Sequence, residues 1–399
     1  MNHSAGPKRV FIVAGESSSD LHAAKIITAL KEQEPHVQTF GVGGERMKQA
    51  GFDAIANAHD LSVMGFFYVL LKLPTIILIF WRLLKVIKQR QPQVALLLDF
   101  PDFNLLLARF LKARGIYVIY YISPQVWAWR ASRVKTIKRV VDEMLCILPF
   151  EPAFYQKHQV TQARFVGHPL VEELTHIKDP SKLKQILNIH KEGPIVALLP
   201  GSRMQESLSL ITPMLESALL IRAQIPQVLF LIPVAGTTST VLLEQAIAKH
   251  QLKHCVTLIK GHGQDVLMLS DAAVVASGTA TLEAALIGVP CIGIYKISPV
   301  TFFILSRVVR VFSILLANLI LGKKVITELL QDKVNKNEIA PRIIQFLKTP
   351  QARIDAAHIR QQLLHTLTTQ KPTQQVVKSI HKIINTKNAV GSTTTHSTQ

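Results

Sequence analysis

The hydrophobic positions of the chain fall into short continuous runs, and most runs are followed by a segment with helical spacing. Continuous apolar runs are typical of parallel strands whose two faces are both covered by helices. Such strands are predicted at residues 10–14, 37–40, 94–98, 117–122, 145–148, 195–199, 229–234, 256–259 and 272–276. The pattern therefore predicts an α/β fold of parallel strands joined by crossover helices.

The second half of the chain repeats the strand, turn and helix pattern of the first half. Between the halves, several prolines and the pair Gly167-His168 interrupt the apolar runs, which indicates a domain boundary between about 165 and 190. We expect an N-terminal domain at residues 1–170, a C-terminal domain with terminal helices at 171–384, and a disordered Ser/Thr-rich tail at 385–399. The predicted fold class is α/β, with two Rossmann-like domains facing a cleft.

The segment at 272–290 predicts a binding site for an anion. An apolar strand ends at Ala276, and small residues lead into a helix expected at 281–287. Backbone N–H groups at a helix N-terminus attract phosphate, and small side chains let it approach closely. Glu283 is expected in the first helical turn, where its carboxylate is placed to accept hydrogen bonds from a ribose. Compensation of the helix dipole is the alternative interpretation.

A further phosphate contact is predicted at the turn Pro200-Gly201-Ser202-Arg203, which follows the strand at 195–199. The guanidinium of Arg203 is a fork-shaped donor suited to phosphate oxygens.

Carboxylates follow two predicted strands of the N-terminal half. Glu16 comes after the first strand, and the following Ser17–Ser19 and Asp20 suit either helix capping or a ligand site. Asp99 ends the strand at 94–98 and is a candidate general base.

Two other polar groups border the same region. Asp102 and Asn104 are expected to cap the next helix, at 105–113. Aromatic and basic side chains follow the strand at 117–122, where they suggest the wall of a pocket. They are Trp127, Trp129 and Arg130.

An apolar helix or helix pair at 61–89 ends in basic side chains, which favours an interfacial position on a membrane over a place in the core. Neither the apolar stretch at 66–81 within this segment nor the one at 302–321 is expected to span a bilayer. Lys72 and Pro74 interrupt the first, and Arg307 and Arg310 in the second would cost roughly 5–7 kcal/mol to insert. The candidate membrane residues are Met64, Phe66, Phe67, Ile77, Trp81 and Arg82.

The composition of the chain indicates which kinds of partner it is expected to bind. The formal net charge of +19 favours anionic partners such as nucleotide phosphates or an acidic membrane. Nucleic acid is not expected, because basic residues form no long run and do not alternate with aromatics. The 3 cysteines are expected to pack in the core of a protein of the reducing cytosol. The 15 histidines lack the spacing of metal ligands, so no metal is predicted. The polar N-terminus predicts no signal peptide.

Six motifs together resemble the lipid-A-disaccharide synthase family over roughly residues 8–385. They are Gly15-Glu16-Ser17 with Asp20, Val63-Met64-Gly65, Asp99-x-Pro-Asp-Phe-Asn104, Ser123-Pro-Gln-Val-Trp-Ala-Trp-Arg130, Leu199-Pro-Gly-Ser-Arg203 and Ser277-Gly-Thr-Ala-Thr-Leu-Glu283.

The resemblance implies an inverting glycosyltransferase of the GT-B type with no cofactor, peripheral on the cytoplasmic face of the inner membrane. Its implied reaction moves a diacylated glucosamine from UDP to diacylglucosamine 1-phosphate, giving a β-1,6 disaccharide. By the family match, Asp99 is the base, with Glu16 nearby. The implied UDP-binding residues are Gly201, Ser202, Arg203, Ser277, Gly278, Thr279, Thr281, Glu283 and Asn318.

The sequence departs from the family's usual residues at positions that border the acceptor and membrane regions. These positions are Ser19, Tyr68, Ala317, Lys323 and Lys324. They bear on acyl-chain or acceptor preference rather than on the reaction.

Two other functions are alternatives to this glycosyl transfer. A UDP-sugar epimerase shares the fold but has no need of apolar basic helices, and a membrane-bound nucleotide sensor would leave Asp99 without a role.

Overall fold

The computed structural model describes residues 7–61, 66–174, 179–190, 192–234, 239–309, 311–368 and 370–391. The chain divides into two compact units. The first unit is Met1–Pro169 together with Thr368–Gln399, and the second is Leu170–Leu367.

The strands of the described residues are β1 (Arg9–Ala14), β2 (Gln38–Gly43), β3 (Asp53–Asn57), β4 (Val94–Leu98), β5 (Tyr117–Tyr121), β6 (Glu143–Cys146), β7 (Ala163–Phe165), β8 (Ile195–Leu199), β9 (Leu229–Val234), β10 (Val256–Lys260), β11 (Ala272–Ala276), β12 (Cys291–Tyr295) and β13 (Thr327–Leu330).

The helices are α1 (Ser17–Gln33), α2 (Glu45–Gln49), α3 (Ala58–Leu61), α4 (Phe66–Arg90), α5 (Pro101–Ala113), α6 (Val134–Val140), α7 (Glu151–Lys157), α8 (Pro169–Glu173), α9 (Pro180–Ile186), α10 (Met204–Gln224), α11 (Thr240–Lys249), α12 (Gly263–Leu269), α13 (Thr279–Ile287), α14 (Pro299–Val308), α15 (Leu316–Leu321), α16 (Lys336–Lys348), α17 (Pro350–Leu367) and α18 (Pro372–Gly391). Short 3₁₀ turns lie at Ala131–Arg133 and Gln331–Lys333.

The first unit contains a parallel sheet with the strand order β3-β2-β1-β4-β5-β6-β7. The order changes direction between β1 and β4, which lie side by side with Ala14 paired to Leu98. β4 is buried along its whole length, as its continuous apolar run predicts. Ligands of open parallel sheets bind at the carboxyl ends of the strands where the order changes direction. The residues after Ala14 and Leu98 therefore occupy such a position.

The second unit repeats this arrangement with the order β10-β9-β8-β11-β12-β13, again parallel. Here the change of direction falls between β8 and β11, where Leu199 pairs with Val275. The prediction of two parallel-sheet α/β domains is confirmed.

Helix α18 belongs to the first unit, although the sequence-based division placed it in the C-terminal domain. Its buried face, which includes Val376 and Ile380, joins the core on one side of the first sheet, with Ile12 and Leu96. The physical reason is that this apolar face covers strands of the first sheet that would otherwise be exposed. The helix continues to Gly391, into the predicted tail, and residues 392–399 lie outside the described part of the chain.

Candidate active site

Asp99 and Glu16 lie at the carboxyl ends of the two strands that flank the change of direction in the first sheet. The loops that carry them are in contact, since a Cβ on Gly15 would lie 2.9 Å from the ring of Phe100. Only glycine at position 15 lets that ring pack there. The predicted grouping of Glu16 with Asp99 therefore has a direct structural basis within the first unit.

The backbone at Asp99 is held in an unusual conformation. Asp99 and Phe100 both have left-handed dihedrals, with φ of 47° and 45°. Such conformations cost free energy for residues other than glycine and concentrate at functional sites. The Asp99 carbonyl accepts hydrogen bonds from the Asn104 amide, at 2.8 Å, and from the Tyr120 hydroxyl, and its N–H donates to Tyr121. These bonds stabilise the strained loop.

The pKa of the Asp99 carboxyl is raised from 3.8 to about 6, first by burial and then by the negative charge of Glu16. A hydrogen bond from the Phe100 N–H works in the opposite direction. A carboxylate with a pKa in this range is ionised at neutral pH and is a stronger base than an ordinary aspartate. This environment suits Asp99 to take a proton from a hydroxyl group.

The predicted caps near Asp99 have other roles. Helix α5 begins at Pro101 rather than at residue 105, because proline suits the first helical position. Asn104 is therefore inside the helix, and its buried amide donates to the carbonyls of Leu98 and Asp99. Asp102 pairs with Arg133 and, at 3.4 Å, with Arg130.

Asp20 caps a helix other than its own. The N-cap of α1 is Glu16, whose side chain makes no capping hydrogen bond. The Asp20 carboxylate instead accepts from the backbone N–H groups of Gly44, Arg46 and Met47 at the start of α2. This contact fixes the loop after β2 against the start of α1.

The aromatic loop after β5 is tied to the first unit by hydrogen bonds and ring contacts. The Trp127 indole donates to the Glu151 carboxyl at 3.2 Å and packs edge-on against Phe150, with ring centroids 4.9 Å apart. The Arg130 guanidinium stacks 4.0 Å from the Trp129 ring. Trp129 is exposed, whereas Trp127 is half-buried. Trp129 and Arg130 thus remain the more accessible part of the predicted pocket wall.

Two turns of the second unit flank its own change of strand direction. Gly201, with φ of +102°, follows β8 and leads to the exposed Arg203, which is the N-cap of α10. A left-handed backbone at this turn favours glycine. Burial raises the pKa of Glu206 in the first turn of α10, and the nearby charge of Arg203 opposes that shift. Arg203 therefore has one anionic neighbour and an exposed guanidinium.

The second turn, Ser277–Thr279, is less open than the sequence suggests. Gly278 and Thr279 are exposed, and Gly278 is the N-cap of α13 without a side-chain cap. The Ser277 N–H, however, donates to Ile294, so it is part of the sheet. Thr281 is fully buried, and its hydroxyl donates to the Gly278 carbonyl at 2.7 Å. A direct phosphate contact is compatible with Gly278 and Thr279, but not with the Thr281 hydroxyl.

Glu283 lies in the second turn of α13, because the helix begins at Thr279 and not at residue 281. This position weakens the alternative that Glu283 only compensates the helix dipole, since that effect falls off within the first turn. Burial raises the pKa of Glu283 to about 7, the charge of Glu173 adds to the shift, and a hydrogen bond with Gln264 opposes it.

The Asn318 side chain stabilises the fold of the second unit through hydrogen bonds. It is fully buried, its amide donates to the Ile326 carbonyl and the Glu328 carboxylate, and its oxygen accepts from the N–H groups of Val325 and Ile326. These four bonds use its full hydrogen-bonding capacity. The implied contact between Asn318 and UDP does not fit this arrangement, since no donor or acceptor is left for a ligand.

Helix α4 is one continuous helix that contains Pro74. Leu83 and Ile87 are buried in the core, so the second half of the helix packs on the first sheet. On the solvent side, Ile77 is 46 % exposed, Leu78 70 % and Trp81 64 %. Arg82 is also exposed. Met64 and the side chains of Phe66, Phe67 and Tyr68 lie outside the described part of the chain.

Two features are absent from the described residues. No helix among them is long and apolar enough to cross a membrane. No group of three or more His, Cys, Asp and Glu side chains among them is placed to hold a metal ion.

Several residues of this region were not predicted. Glu151 comes three residues after the predicted strand at 145–148, and Glu206 lies in the first turn of the helix that follows the predicted strand at 195–199, so the sequence could have indicated both. Gln264 and Glu173 carry no comparable signal, because they approach Glu283 only once α8 and α12 have folded.

Two solved structures show the same fold. A UDP-GlcNAc 2-epimerase from Neisseria meningitidis bound to UDP-GlcNAc has a TM-score of 0.66 at 13% identity, over 94% of this chain and 100% of that chain. A glycotransferase of kitacinnamycin has a TM-score of 0.63 at 12% identity, over 95% of this chain and 99% of that chain. Two parallel-sheet α/β units of this kind define the GT-B class, which includes glycosyltransferases and sugar epimerases.

Sequence comparison shows to which family of the GT-B class the chain belongs. A family model described as lipid-A-disaccharide synthetase matches residues 10–384. Lipid-A-disaccharide synthase of Anaeromyxobacter dehalogenans (strain 2CP-C) is 42% identical over 86% of this chain and 89% of that protein. The enzyme of the same name from Syntrophus aciditrophicus is 41% identical over 89% and 94%. The chain belongs to the lipid-A-disaccharide synthase family and is a glycosyltransferase of lipid A biosynthesis.

Proposed function

We propose that the protein transfers 2,3-diacylglucosamine from UDP-2,3-diacylglucosamine to 2,3-diacylglucosamine 1-phosphate, forming the β-1,6 disaccharide 1-phosphate and UDP. Family membership supports the substrate classes, and the neighbour bound to UDP-GlcNAc supports a UDP-sugar donor on this fold. The observation that carries the mechanism is Asp99, a partly buried carboxylate beside Glu16 at the end of β4.

The reaction is a single displacement with inversion. The 6-hydroxyl of the acceptor attacks the anomeric carbon of the donor on the face opposite UDP. The new C–O bond forms as the bond to the diphosphate breaks, and the hydroxyl proton passes to Asp99. The electron pair of the broken bond leaves on the β-phosphate of UDP. Because the acceptor attacks directly, no enzyme nucleophile and no cofactor are needed.

The second unit supplies the nucleotide site in this proposal. The exposed guanidinium of Arg203 pairs with the diphosphate and stabilises the charge that develops as UDP leaves. The turn Gly201-Ser202 and the exposed Gly278 and Thr279 bring backbone N–H groups to the same anion. Glu283 accepts hydrogen bonds from the ribose hydroxyls.

The first unit supplies the membrane contact. The exposed apolar side chains of α4, together with the basic residues Arg82, Lys85 and Lys88, fit an interfacial helix whose cations face anionic headgroups. We place the protein as a peripheral enzyme on the cytoplasmic face of the inner membrane, where both lipid substrates would be within reach. Trp129 and Arg130 line the path of the acceptor.

Release of UDP from the lipid-linked donor, measured with and without diacylglucosamine 1-phosphate, tests the proposal. Acceptor-dependent release and a disaccharide with β configuration by NMR are expected. Conversion of a UDP-sugar to its 2-epimer without acceptor would instead support an epimerase, and binding of UDP without turnover would support a sensor.

A further inference from the structure

We propose that Glu151 is a positioning residue, which holds the loop 123–130 through the Trp127 indole and thereby places Trp129 and Arg130 beside the start of α5. The inference rests on the transfer reaction proposed above. It adds to that reaction a residue from α7 that lies outside the nucleotide site and outside the strand ends at Glu16 and Asp99.

Glu151 is 0 % exposed, and both of its oxygens are engaged. Oε1 accepts from the Trp127 indole at 3.2 Å, and Oε2 accepts from the Leu148 N–H at 3.1 Å. The Ser123 hydroxyl, at the start of the loop, forms a hydrogen bond with the Tyr155 hydroxyl of the same helix as Glu151 at 2.8 Å. Helix α7 is therefore tied to the loop at two points, by Tyr155 at Ser123 and by Glu151 at Trp127.

The loop transmits this constraint toward Asp99. Directly after Trp127 come Trp129 and Arg130, whose side chains stack on each other. Arg130 reaches Asp102, which lies three positions after Asp99 in the first turn of α5. The loop also begins under strain, since Ile122 has a left-handed φ of 64° despite its β-branched side chain. A strained loop keeps one conformation only where its surroundings fix it.

The charge state of Glu151 supports this role. Burial raises the pKa of its carboxyl to about 8, and the groups that oppose the shift are hydrogen-bond donors rather than cations. The titratable groups facing it are the Cys146 thiol of β6 and the Tyr155 phenol of α7, and burial raises the pKa of each. All three are neutral at pH 7. As pH rises through about 8, a negative charge would appear in this buried site and the loop is expected to loosen.

Fluorescence of Trp127 tests the contact without any assay of transfer. The three tryptophans of the chain are Trp81, Trp127 and Trp129, so Trp81→Phe with Trp129→Phe leaves Trp127 as the sole emitter. We expect one transition of its emission near pH 8, and no transition after Glu151→Gln, because the amide keeps an acceptor but does not titrate. A transition that persists in Glu151→Gln, or that is absent with Glu151 intact, would overturn the inference.

Kinetics test the positioning. Glu151→Leu, which keeps bulk but removes both acceptors, should lower kcat for transfer by about 10²-fold through a misplaced loop. UDP affinity should not change, and Glu151→Gln should restore kcat and extend activity to higher pH. An unchanged kcat per folded molecule in Glu151→Leu would reduce Glu151 to a fold-stabilising residue.

A second variant tests the inference if the first variant does not fold. If Glu151→Leu does not fold, Trp127→Phe removes the same hydrogen bond from the other partner and should lower kcat in the same way, whereas an unchanged kcat overturns the inference. A parent protein that shows the Trp127 transition but no transfer would contradict the proposed function alone.

Discussion

Glu16 adds to the rise in the pKa of Asp99, because the two carboxylates follow neighbouring strands of one sheet. Ionising Asp99 in the folded protein therefore costs free energy that the unfolded chain does not pay. A group with this property stabilises the fold when protonated and destabilises it when charged. Sites that trade stability for reactivity in this way are common in enzymes.

Asp99→Asn should lower turnover by roughly 10²–10⁴-fold, since it keeps the shape of the side chain but removes the base. UDP affinity, measured by calorimetry, should not change. The matched control is Asp53→Asn, which removes an exposed carboxylate on the edge strand β3. A folded Asp99→Asn variant within about tenfold of the parent would move the base elsewhere, with Glu16 as the next candidate.

The same variant should be more stable than the parent at pH 8. Because the pKa of Asp99 rises from 3.8 to about 6 on folding, its unfavourable contribution is absent below pH 3.8, grows between these values and is complete above about 6. We expect Asp99→Asn to gain roughly 1–3 kcal/mol at pH 8 and nothing at pH 3.5, provided that both forms remain folded there. Urea unfolding at the two pH values measures the difference. A loss of stability at pH 8 would show that the carboxylate mainly holds the loop.

Arg203→Ala should weaken UDP binding by about 1.5–3 kcal/mol, because it deletes a charge-assisted contact with the diphosphate. Calorimetry against UDP measures the loss. Arg342→Ala on α16 is the control, since Arg342 pairs with Glu338 one helical turn away and has no proposed role. Equal affinities of the parent and Arg203→Ala would exclude Arg203 from the site.

Glu283→Gln should weaken UDP more than it weakens inorganic pyrophosphate, which has no ribose. The pKa of Glu283, raised to about 7, also predicts that UDP binding by the parent improves as pH rises from 6 to 8 and the carboxylate ionises. In Glu283→Gln this pH dependence should be smaller, because only the ionisation of the terminal phosphate of UDP would remain. Equal losses for both ligands would assign Glu283 to the packing of α13 against α12.

Replacement of Ile77, Leu78 and Trp81 by serine should reduce sedimentation with anionic vesicles and leave UDP affinity intact, because apolar burial contributes to interfacial binding. Salt should release part of the parent protein, since exposed charges act over a Debye length of about 10 Å at 0.1 M. Ile354→Ser, at a 59 % exposed position on α17, is the matched control. Full vesicle binding by the triple variant would remove α4 from the membrane contact.

Ser19→Ala should stabilise the protein by about 1 kcal/mol. Ser19 is buried in α1, and its hydroxyl has no hydrogen-bond partner among the described residues. A buried polar group without a partner costs about 1–3 kcal/mol, and alanine also favours a helix. Thermal unfolding measures the gain. A lower midpoint would indicate that the hydroxyl has a partner such as ordered water.

The sequence was most informative where polarity changes sharply at the end of an apolar run. Asp99 and Arg203 were predicted for this reason, and the fold places each beside a change of strand direction. Sequence was least informative where a role depends on partners that come together only in the folded chain. The family resemblance implied a UDP contact at Asn318, but its hydrogen-bond partners at 325–328 are brought to it only when α15 packs against the start of β13.

Helix boundaries caused the other differences. Starting α5 at Pro101 moves Asn104 from a cap to the helix interior, and starting α13 at Thr279 moves Glu283 into the second turn. In both cases the residues at the boundary fit a helix start as well as a loop, so local preference alone did not determine where the helix begins. Contacts with the neighbouring strand ends determined it.

The contribution of α18 to the first unit has a consequence for biosynthesis. Residues that complete the core around Ile12 and Leu96 follow the second unit along the chain, so they leave the ribosome after it. Part of the first unit's sheet therefore remains uncovered while the whole second unit is translated. A nascent chain that stalls after Leu367 would present that apolar surface to chaperones or to other chains. Quality control of this protein is thus expected to act on its N-terminal half when synthesis stops before α18 is made.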